Sequence, residues 1–563
     1  MLHYRLSLPL VAFVAALPVT LAPNVVDAQV MEVRPVTPAA SAPATGALRT
    51  RQGEFEAFRR DHLPSLSLGR GVNGQCDEHV GRFCYWYDDK EPKAPDEPSS
   101  IRAAREVLIA QLDSASREFP SDRWTSGQLV RYLTEADRND EAVTAANRCD
   151  AKGWWCPALR GFALHAAQRF AAADSAWSKS LEAMDQKQRC EWRDVKLMLD
   201  DDLLRDYRTM PCGDRDRFER RVWWLSRPML SSPGNDARSE FFSRRLYTSF
   251  LEDAPSVHAL GFDDDERELL LRYGWPRAWT TQTVYLPRQG SQKVITGHEP
   301  APAPPMLPTA ATVKNPALSD SLGWRGKGLP GVRARYAPEV ARRLLPLQQQ
   351  SAIFRRGDSA FVVMAYDASS DAVLTDAAKA GDLTAALVLT KGEEQDATIV
   401  RAAEPNVRGT LSAHTTWGPM LMSAEVASRS KHVLARARYG MRASDTPGAR
   451  VSISDLLLFE PYDGMPSRLE EALPHARSTL ALREGAKVGI YWETYNTNPL
   501  GEGMQVAITV APEEEEKGGF VRRGLLALRL ARETQPITVG ITDVSARGLG
   551  YSPRAVVVDL ATL

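Results

Sequence analysis

The sequence predicts a multidomain α+β protein with an N-terminal α-helical repeat segment, an α+β central module and C-terminal β-sandwich-like domains. Apolar residues recur at helical spacing over residues 100–202, and short apolar and β-branched runs bounded by turn residues follow one another from Ala352 onward. At roughly 150 residues per domain, the chain is long enough for three or four domains. The predicted segments are a signal peptide (1–28), a flexible linker (29–50), a disulfide-containing helical region (51–212), the central module (213–298), a Pro/Gly-rich linker with a short helix (299–350) and two β-sandwich-like domains (351–465 and 466–563).

The N-terminus has the features of a secretory signal peptide. Arg5 precedes an apolar stretch over residues 6–21, and the sequence Val26-Asp27-Ala28 provides a cleavage site, so we expect cleavage after Ala28. The apolar stretch is shorter than a typical membrane span, and no other long apolar run follows it. The sequence therefore predicts a mature chain without a transmembrane segment, located in the periplasm or outside the cell.

The charges of the chain are nearly balanced. Lys and Arg total 70 against 71 Asp and Glu, which gives a formal net charge of −1. Removal of the signal peptide takes away one Arg and one Asp and leaves that balance unchanged. Because no excess positive charge attracts polyanions, we expect no nucleic-acid partner. The sequence contains no P-loop, nucleophile elbow or His-Glu-x-x-His motif, and we predict no cofactor and no metal site.

Six cysteines lie in the first half of the chain, and their even number in an exported protein predicts disulfides. Of the connectivities that six cysteines allow, we predict sequential pairing. Cys76 and Cys84 have an alternative, a zinc site shared with His79, although no fourth ligand is evident. The predicted pairs are Cys76–Cys84, Cys149–Cys156 and Cys190–Cys212.

Residues 159–181 resemble a tetratricopeptide repeat. Gly161 and Ala173 are small residues where two helices are expected to touch, and Trp177 is expected to fill the space between those helices. A looser copy of the pattern precedes them around Leu129. The resemblance implies either a concave groove that binds a partner chain or a structural prefix to the central module, and the sequence leaves both alternatives open.

Two amphipathic helices are predicted in the central module. Phe218, Val222 and Leu225 recur on one face of the first helix, and a turn over residues 228–234 ends it. Asn235 or Asp236 is the predicted N-cap of the second helix. Further along, an apolar run that stops at Gly274 and Pro276 predicts a strand over residues 269–276 that enters a turn.

The same module resembles the GWxTD-domain proteins, a family of exported bacterial proteins. Phe262 and Asp264 stand where the family has Trp and Thr. The family has no established activity, so the resemblance implies export but identifies no reaction. The residues that fit the family pattern are Trp223, Trp224, Asn235, Arg238, Arg245, Gly261, Asp265, Arg272, Tyr273, Gly274 and Pro276.

Four residues of the module are the candidate binding residues: Arg245, Asp265, Arg272 and Tyr273. Together with Asp263 they would form the site of an envelope hydrolase, although no catalytic constellation is recognisable. The carboxylates over residues 263–266 offer oxygen ligands for Ca²⁺, but they lack the alternating spacing of a calcium loop. We therefore favour a scaffold or protein-binding module with a protein partner in the cell envelope, and the hydrolase is the alternative.

The C-terminal half contributes a third hypothesis. A Pro-rich linker and a short helix over residues 339–345 precede the strands. Along the predicted strand 487–495, alternation places Tyr491, Glu493 and Tyr495 on one face. The two tyrosines and Trp417 could form an aromatic platform for carbohydrate, whereas aromatic residues at such positions usually pack within the sheet. Whether the two β regions are separate domains stays open.

Overall fold

The protein has the predicted mixed α+β fold, with a helical N-terminal segment followed by strands. Residues 1–44, which include the predicted signal peptide, and Cys76 lie outside the residues that the structure describes. Among the described residues, no helix is long and apolar enough to cross a membrane. The computed structural model describes residues 45–66, 77–85, 93–286, 290–298, 307–324, 334–336, 338–442, 451–482, 485–495, 503–510, 537–544 and 550–560.

Helices dominate the described chain up to Tyr273, and a short β-hairpin lies between the first two. The hairpin strands are β1 (Glu78–Val80) and β2 (Phe83–Tyr85). Two shorter helices, α12 (Ala310–Lys314) and α13 (Ala372–Lys379), and the single turn α14 (Leu469–Ala472) follow later. The first eleven helices are α1 (Thr45–Asp61), α2 (Ser99–Glu118), α3 (Arg123–Glu135), α4 (Asn139–Arg148), α5 (Trp155–Ala166), α6 (Phe170–Glu182), α7 (Gln186–Arg193), α8 (Asp201–Thr209), α9 (Cys212–Ser226), α10 (Asp236–Glu252) and α11 (Asp264–Tyr273).

Helix α10 packs against α3, α5 and α6, which lie in the helical region where repeats were predicted. Asn235 caps α10 as predicted, because its side chain accepts a hydrogen bond from Arg238 N at 3.0 Å. The predicted contact between the repeat helices is also present, since a Cβ on Gly161 would lie 2.7 Å from the ring of Trp177. The chain itself thus covers the helix faces that α10 contacts, which favours the structural-prefix alternative for the repeats.

The strand predicted over residues 269–276 is wrong, because the chain continues as helix α11 up to Tyr273. Asp263 caps this helix, and three acidic residues occupy its first turn, where the helix dipole favours negative charge. Leu270 and Leu271 form part of its buried side. The helix ends at Gly274, whose φ of +94° is a conformation that other residues rarely adopt.

In the described residues, the β region begins with a hairpin and continues as three larger sheets and one further two-stranded sheet. The predicted helix over 339–345 is wrong beyond its first turn: Glu339–Ala341 is a 3₁₀ helix and Arg343–Pro346 is a strand. The strands are β3 (Ala278–Leu286), β4 (Gly290–His298), β5 (Arg343–Pro346), β6 (Gln348–Arg356), β7 (Ser359–Asp367), β8 (Thr384–Thr390), β9 (Thr398–Arg401), β10 (Arg408–Thr416), β11 (Met420–Ser428), β12 (Val433–Met441), β13 (Ser452–Ile453), β14 (Leu457–Phe459), β15 (Lys487–Tyr495), β16 (Gly503–Val510), β17 (Ile537–Val544) and β18 (Tyr551–Asp559).

Two sheets share the principal core of this region. One has the order β10-β7-β6, and the other has the order β5-β12-β11-β8-β9, in which only β5 runs parallel to its neighbour. Their inward-facing residues form one buried cluster, to which Leu374 of α13 also belongs. Val362 of β7 belongs to the first sheet, and Leu387 of β8 and Met422 of β11 belong to the second.

A buried carboxylate joins the central module to this core. Glu425 of β11 accepts hydrogen bonds from Leu230 N at 2.7 Å and from Ser231 N at 3.1 Å, and Arg438 of β12 lies 3.3 Å from it. The side chains of Glu425 and Arg438 are both fully buried. We call Glu425, Arg438, Leu230 and Ser231 the Glu425 clamp. Strand β11 is therefore covered on both faces, by the opposite sheet and by the turn that precedes α10.

Strand β15 lies between β14 and β18 and is also buried on both faces. Tyr491 and Tyr495 share one face as predicted, but both are buried and their hydroxyls point at Glu493. An exposed aromatic platform built on these two tyrosines is therefore wrong. Trp417, its third member, packs against the principal core.

Two disulfides are present as predicted. Cys149 pairs with Cys156 and Cys190 pairs with Cys212, with Cα–Cα distances of 5.5 and 6.0 Å. Cys84 is disulfide-bonded as well, which argues against the zinc alternative, and its predicted partner lies outside the described residues. These bonds are compatible with an exported protein.

Candidate functional site

Three of the four candidate residues meet at one place, where the β1–β2 hairpin lies on α11. Arg82 in the hairpin turn holds Asp265 through both carboxylate oxygens, with Nε–Oδ2 at 2.6 Å and Nη2–Oδ1 at 2.7 Å. These hydrogen bonds keep the pKa of Asp265 well below its usual range, against the opposing effect of desolvation. Asp265 is therefore a charged anchor for the hairpin.

Arg272 and Tyr273 hold the other side of the same hairpin. Glu78 accepts hydrogen bonds from Arg272 Nη1 and from the Tyr273 hydroxyl, each at 2.6 Å. The Tyr85 ring stacks on the Tyr273 ring, with centroids 3.7 Å apart. We call Glu78, Arg82, Asp265, Arg272 and Tyr273 the hairpin site. All of its charged groups pair with one another.

Arg245 is not part of the hairpin site. Its Nη2 donates to Asp194 O at 2.7 Å, its guanidinium lies over the Phe241 ring, and burial lowers its pKa to about 10. The neighbouring Arg244 instead contacts the end of α11, since its Nη1 donates to Arg272 O at 2.9 Å. Only the packing of α10 decides which arginine of the pair faces α11, and the binding role of Arg245 stays a prediction.

Asp263 has a structural role, since its side chain accepts the hydrogen bond from Asp264 N at 2.8 Å that begins α11. No group of His, Cys, Asp or Glu side chains in the described part of the chain is arranged to hold a metal ion. The calcium alternative for residues 263–266 thus finds no support in the described geometry.

Glu266, which the sequence singled out only as one of the carboxylates over residues 263–266, is the unusual group beside the hairpin site. It is 4% exposed, and its Oε2 atom has no hydrogen-bond partner. Burial raises the pKa of Glu266 to about 7, although the positive charges of Arg82 and Arg131 oppose the shift. A carboxyl with such a pKa exchanges its proton near neutral pH, which is a property of functional acids and bases.

A buried ionic cluster connects α1 to α3. Arg59 Nη1 lies 2.9 Å from Glu135, Arg131 Nε lies 3.0 Å from the same carboxylate, and Arg131 also pairs with Glu56 at 3.1 Å. Desolvation would raise the pKa of Glu135, but the charges of Arg59 and Arg131 outweigh it and lower that pKa to about 2. Because each carboxylate faces an arginine, the cluster is a structural network that sets the register of the two helices.

Ser239, His165 and Glu240 have the composition of a catalytic triad. His165 Nδ1 lies 2.7 Å from Ser239 Oγ, and His165 Nε2 lies 2.7 Å from Glu240 Oε2. The Ser239 side chain, however, is completely buried, and its hydroxyl lies 3.1 Å from Asp236 O. Glu240 also pairs with Arg244 at 2.7 Å. No substrate reaches this hydroxyl. The hydrogen bonds of His165 with Ser239 and Glu240 instead join α5 to α10.

No protein family, curated protein or solved structure matches the chain. The likeness to GWxTD-domain proteins and to tetratricopeptide repeats rests on the motif residues and stays a prediction.

Proposed function

We propose that the chain is an exported scaffold of the cell envelope that binds a protein partner through an apolar surface on its C-terminal half. The charged groups of the hairpin site are paired with one another, which supports a structural role for Asp265 and Arg272. The disulfides and the shared core of two sheets support an exported protein with a β-sandwich-like domain. We also propose that the central module is a GWxTD-like domain and that the preceding helices form tetratricopeptide-like repeats.

The proposal rests on the distribution of exposed apolar side chains. Among the described residues, twelve large apolar side chains are exposed, and six of them lie within residues 451–482. The most exposed is Leu480, at 64%. Exposed apolar residues that are scattered singly need no explanation, whereas a concentration of them indicates a binding surface. The six residues are Val451, Ile453, Leu456, Met465, Leu480 and Leu482.

Backbone pairing brings part of this set together. Arg477 N donates to Leu458 O at 2.9 Å and Glu460 N donates to His475 O at 2.8 Å, so the segment before Leu480 runs antiparallel to β14. Continuing this register places Leu480 opposite Asp455, the chain neighbour of Leu456. We call Leu456, Leu480 and their exposed apolar neighbours the 451–482 surface.

The test is crosslinked capture of the tagged mature protein from the envelope of its own cells, followed by quantitative mass spectrometry. A Leu456→Asp/Leu480→Asp variant should lose a stoichiometric partner, because two charges would be buried in the interface. The matched control is Leu318→Asp/Leu322→Asp, which changes two leucines that are also exposed but lie elsewhere. All three proteins should unfold at similar temperatures, since exposed substitutions change stability little.

Recovery of the same partner by all three proteins would move the binding surface elsewhere. If no partner is recovered with the wild-type protein, the scaffold proposal is wrong.

The envelope hydrolase is the second candidate, and Glu266 is the observation that favours it. Burial raises the pKa of its carboxyl to about 7, which is in the range of general acids and bases. The residue directly follows Asp265, one of the candidate binding residues. Chromogenic ester, phosphoester and glycoside substrates provide the screen. A turnover that Glu266→Gln abolishes without lowering the unfolding temperature would support an enzyme, and absence of turnover on all three classes would reject it.

A further inference from the structure

A cavity of about 330 Å³ lies where four segments meet, apart from both the hairpin site and the 451–482 surface. Its walls are the turn between α5 and α6, the turn that precedes α10, Val340 of the 3₁₀ helix and Arg429 of the β11–β12 turn. Its volume is within the range of small-molecule sites. We call it the Gly234 cavity.

Two of these walls are held in contact. Gly234 has a φ of +80°, and a Cβ at this position would lie 2.5 Å from Ala171 N. Only glycine therefore allows the turn before α10 to approach the α5–α6 turn so closely. The Glu425 clamp fixes Leu230 and Ser231 in the same turn. The cavity is thus preformed, which lowers the entropic cost of binding a ligand.

Asp236 places a carboxyl group in the wall of the cavity. The residue is 9% exposed, and its Oδ2 accepts a hydrogen bond from the Tyr336 hydroxyl at 3.2 Å. Burial raises the pKa of Asp236, although the His165 charge opposes the shift. Among the described residues it forms no ion pair. The charges of His165 and Arg227 do not outweigh this burial, so the ammonium group of a ligand would stabilise the charged form of the Asp236 carboxyl.

Two arginines line the same cavity. Arg429 Nη2 donates to Ser232 Oγ at 2.8 Å, and Arg429 has no carboxylate partner among the described residues. Arg169 pairs with Asp140 at 2.6 Å, and its side chain is 53% exposed, which places it at the entrance. Because a guanidinium has five N–H donors, each arginine retains donors for a carboxylate.

The rest of the lining is mostly apolar, with Phe170, Met229, Pro233 and Val340 among its members. A simple anion would leave Asp236 without a cationic partner and close to a like charge. A simple cation would leave Arg429 unused. A molecule that carries both charges on an apolar body satisfies both groups.

We propose that the Gly234 cavity binds a small zwitterion with an apolar side chain, such as a free amino acid or the corresponding short peptide. The ligand's amine would face Asp236, and its carboxylate would face Arg429 and Arg169. The cavity is distinct from the 451–482 surface. Loss of ligand binding in the cavity would therefore say nothing about the scaffold function, and the reverse also holds.

Calorimetric titration of the full mature chain tests the proposal with three matched ligands. Leucine carries both charges, N-acetyl-leucine lacks the amine charge, and leucinamide lacks the carboxylate. Leucine should bind at least about tenfold more tightly than either blocked analogue, because each blocked analogue leaves one charged wall group unpaired. Leucyl-leucine then distinguishes the free amino acid from the peptide.

Two variants assign the charges to residues. Asp236→Asn should abolish the preference for leucine over N-acetyl-leucine, and Arg429→Gln should abolish the preference for leucine over leucinamide. Arg343→Gln is the matched control and should keep both preferences, because Arg343 is an exposed arginine that pairs with Asp371 outside the cavity. Thermal unfolding of each variant shows whether it is folded.

Three results would overturn the proposal. Leucine could fail to bind the wild-type chain at millimolar concentration, all three ligands could bind equally, or both preferences could survive in folded Asp236→Asn and Arg429→Gln variants.

Discussion

Glu425 and Glu266 are both buried carboxylates of this protein, but their surroundings differ. Glu425 accepts hydrogen bonds from two backbone N–H groups and from the Ser231 hydroxyl at 2.6 Å, and it faces Arg438. The Oε2 atom of Glu266 has no partner, and the pKa of that carboxyl rises to about 7. Burial alone therefore does not reveal a role: a satisfied carboxylate joins two segments, whereas an unsatisfied one becomes sensitive to pH.

The largest expected effect follows from removing the satisfied carboxylate. Glu425→Ala should lower the free energy of unfolding by about 3–5 kcal/mol, because it leaves Arg438 buried without its carboxylate and two backbone N–H groups without an acceptor. Urea denaturation measures this loss. Glu460→Ala is the control, since Glu460 is 61% exposed in its ion pair with Arg477 and should cost less than about 1 kcal/mol. Equal effects of the two substitutions would show that the clamp does not stabilise the fold.

A smaller loss is expected for Glu135→Gln in the ionic cluster of α1 and α3. The substitution keeps an acceptor for Arg59 and Arg131 but removes the charge, and should cost about 3 kcal/mol at pH 7. Because the folded-state pKa of Glu135 is lowered to about 2, its contribution is present above the unfolded pKa of about 4.5 and is lost as the pH falls through 2. Unfolding curves measured between pH 7 and pH 2 should therefore converge for wild type and variant. Parallel curves would rule out a charged Glu135 in the folded protein.

The third effect has the opposite sign. Glu266 has a folded-state pKa raised to about 7, so the stability that it contributes is present below pH 4.5 and is lost as the pH rises through 7. Glu266→Gln should match the wild type near pH 4 and exceed its free energy of unfolding by about 3 kcal/mol at pH 8. Denaturant titrations at the two pH values provide the measurement, and a variant that is less stable at pH 8 would contradict the prediction.

Much of the hairpin site was predictable as a set of residues but not as an arrangement. The motif singled out Asp265, Arg272 and Tyr273, which do lie together. Their partners Glu78 and Arg82 come from a hairpin more than 170 positions earlier in the chain, and no local pattern connects them. The burial of Glu266 was not predicted for the same reason, since the sequence shows only a charged residue in an acidic run.

Features that arise from neighbours in the chain were predictable from the residues alone. Helical periodicity identified α9 and α10, Asn235 marked the start of α10, and two disulfides pair cysteines only 7 and 22 positions apart. These features depend on local geometry and short loops, which residue type and spacing encode directly.

Only the tertiary structure decided the rest. An apolar run of three leucines at 269–271 has no period, so whether it forms a strand or a helix depends on what buries it. The two buried tyrosines of β15 and the clamp around Glu425 depend on segments far away, since Leu230 and Glu425 are 195 positions apart. Whether the second face of a strand is buried depends on which distant segment packs against it, and a local sequence pattern does not show that segment. The partners of the polar residues on that face depend on the same packing.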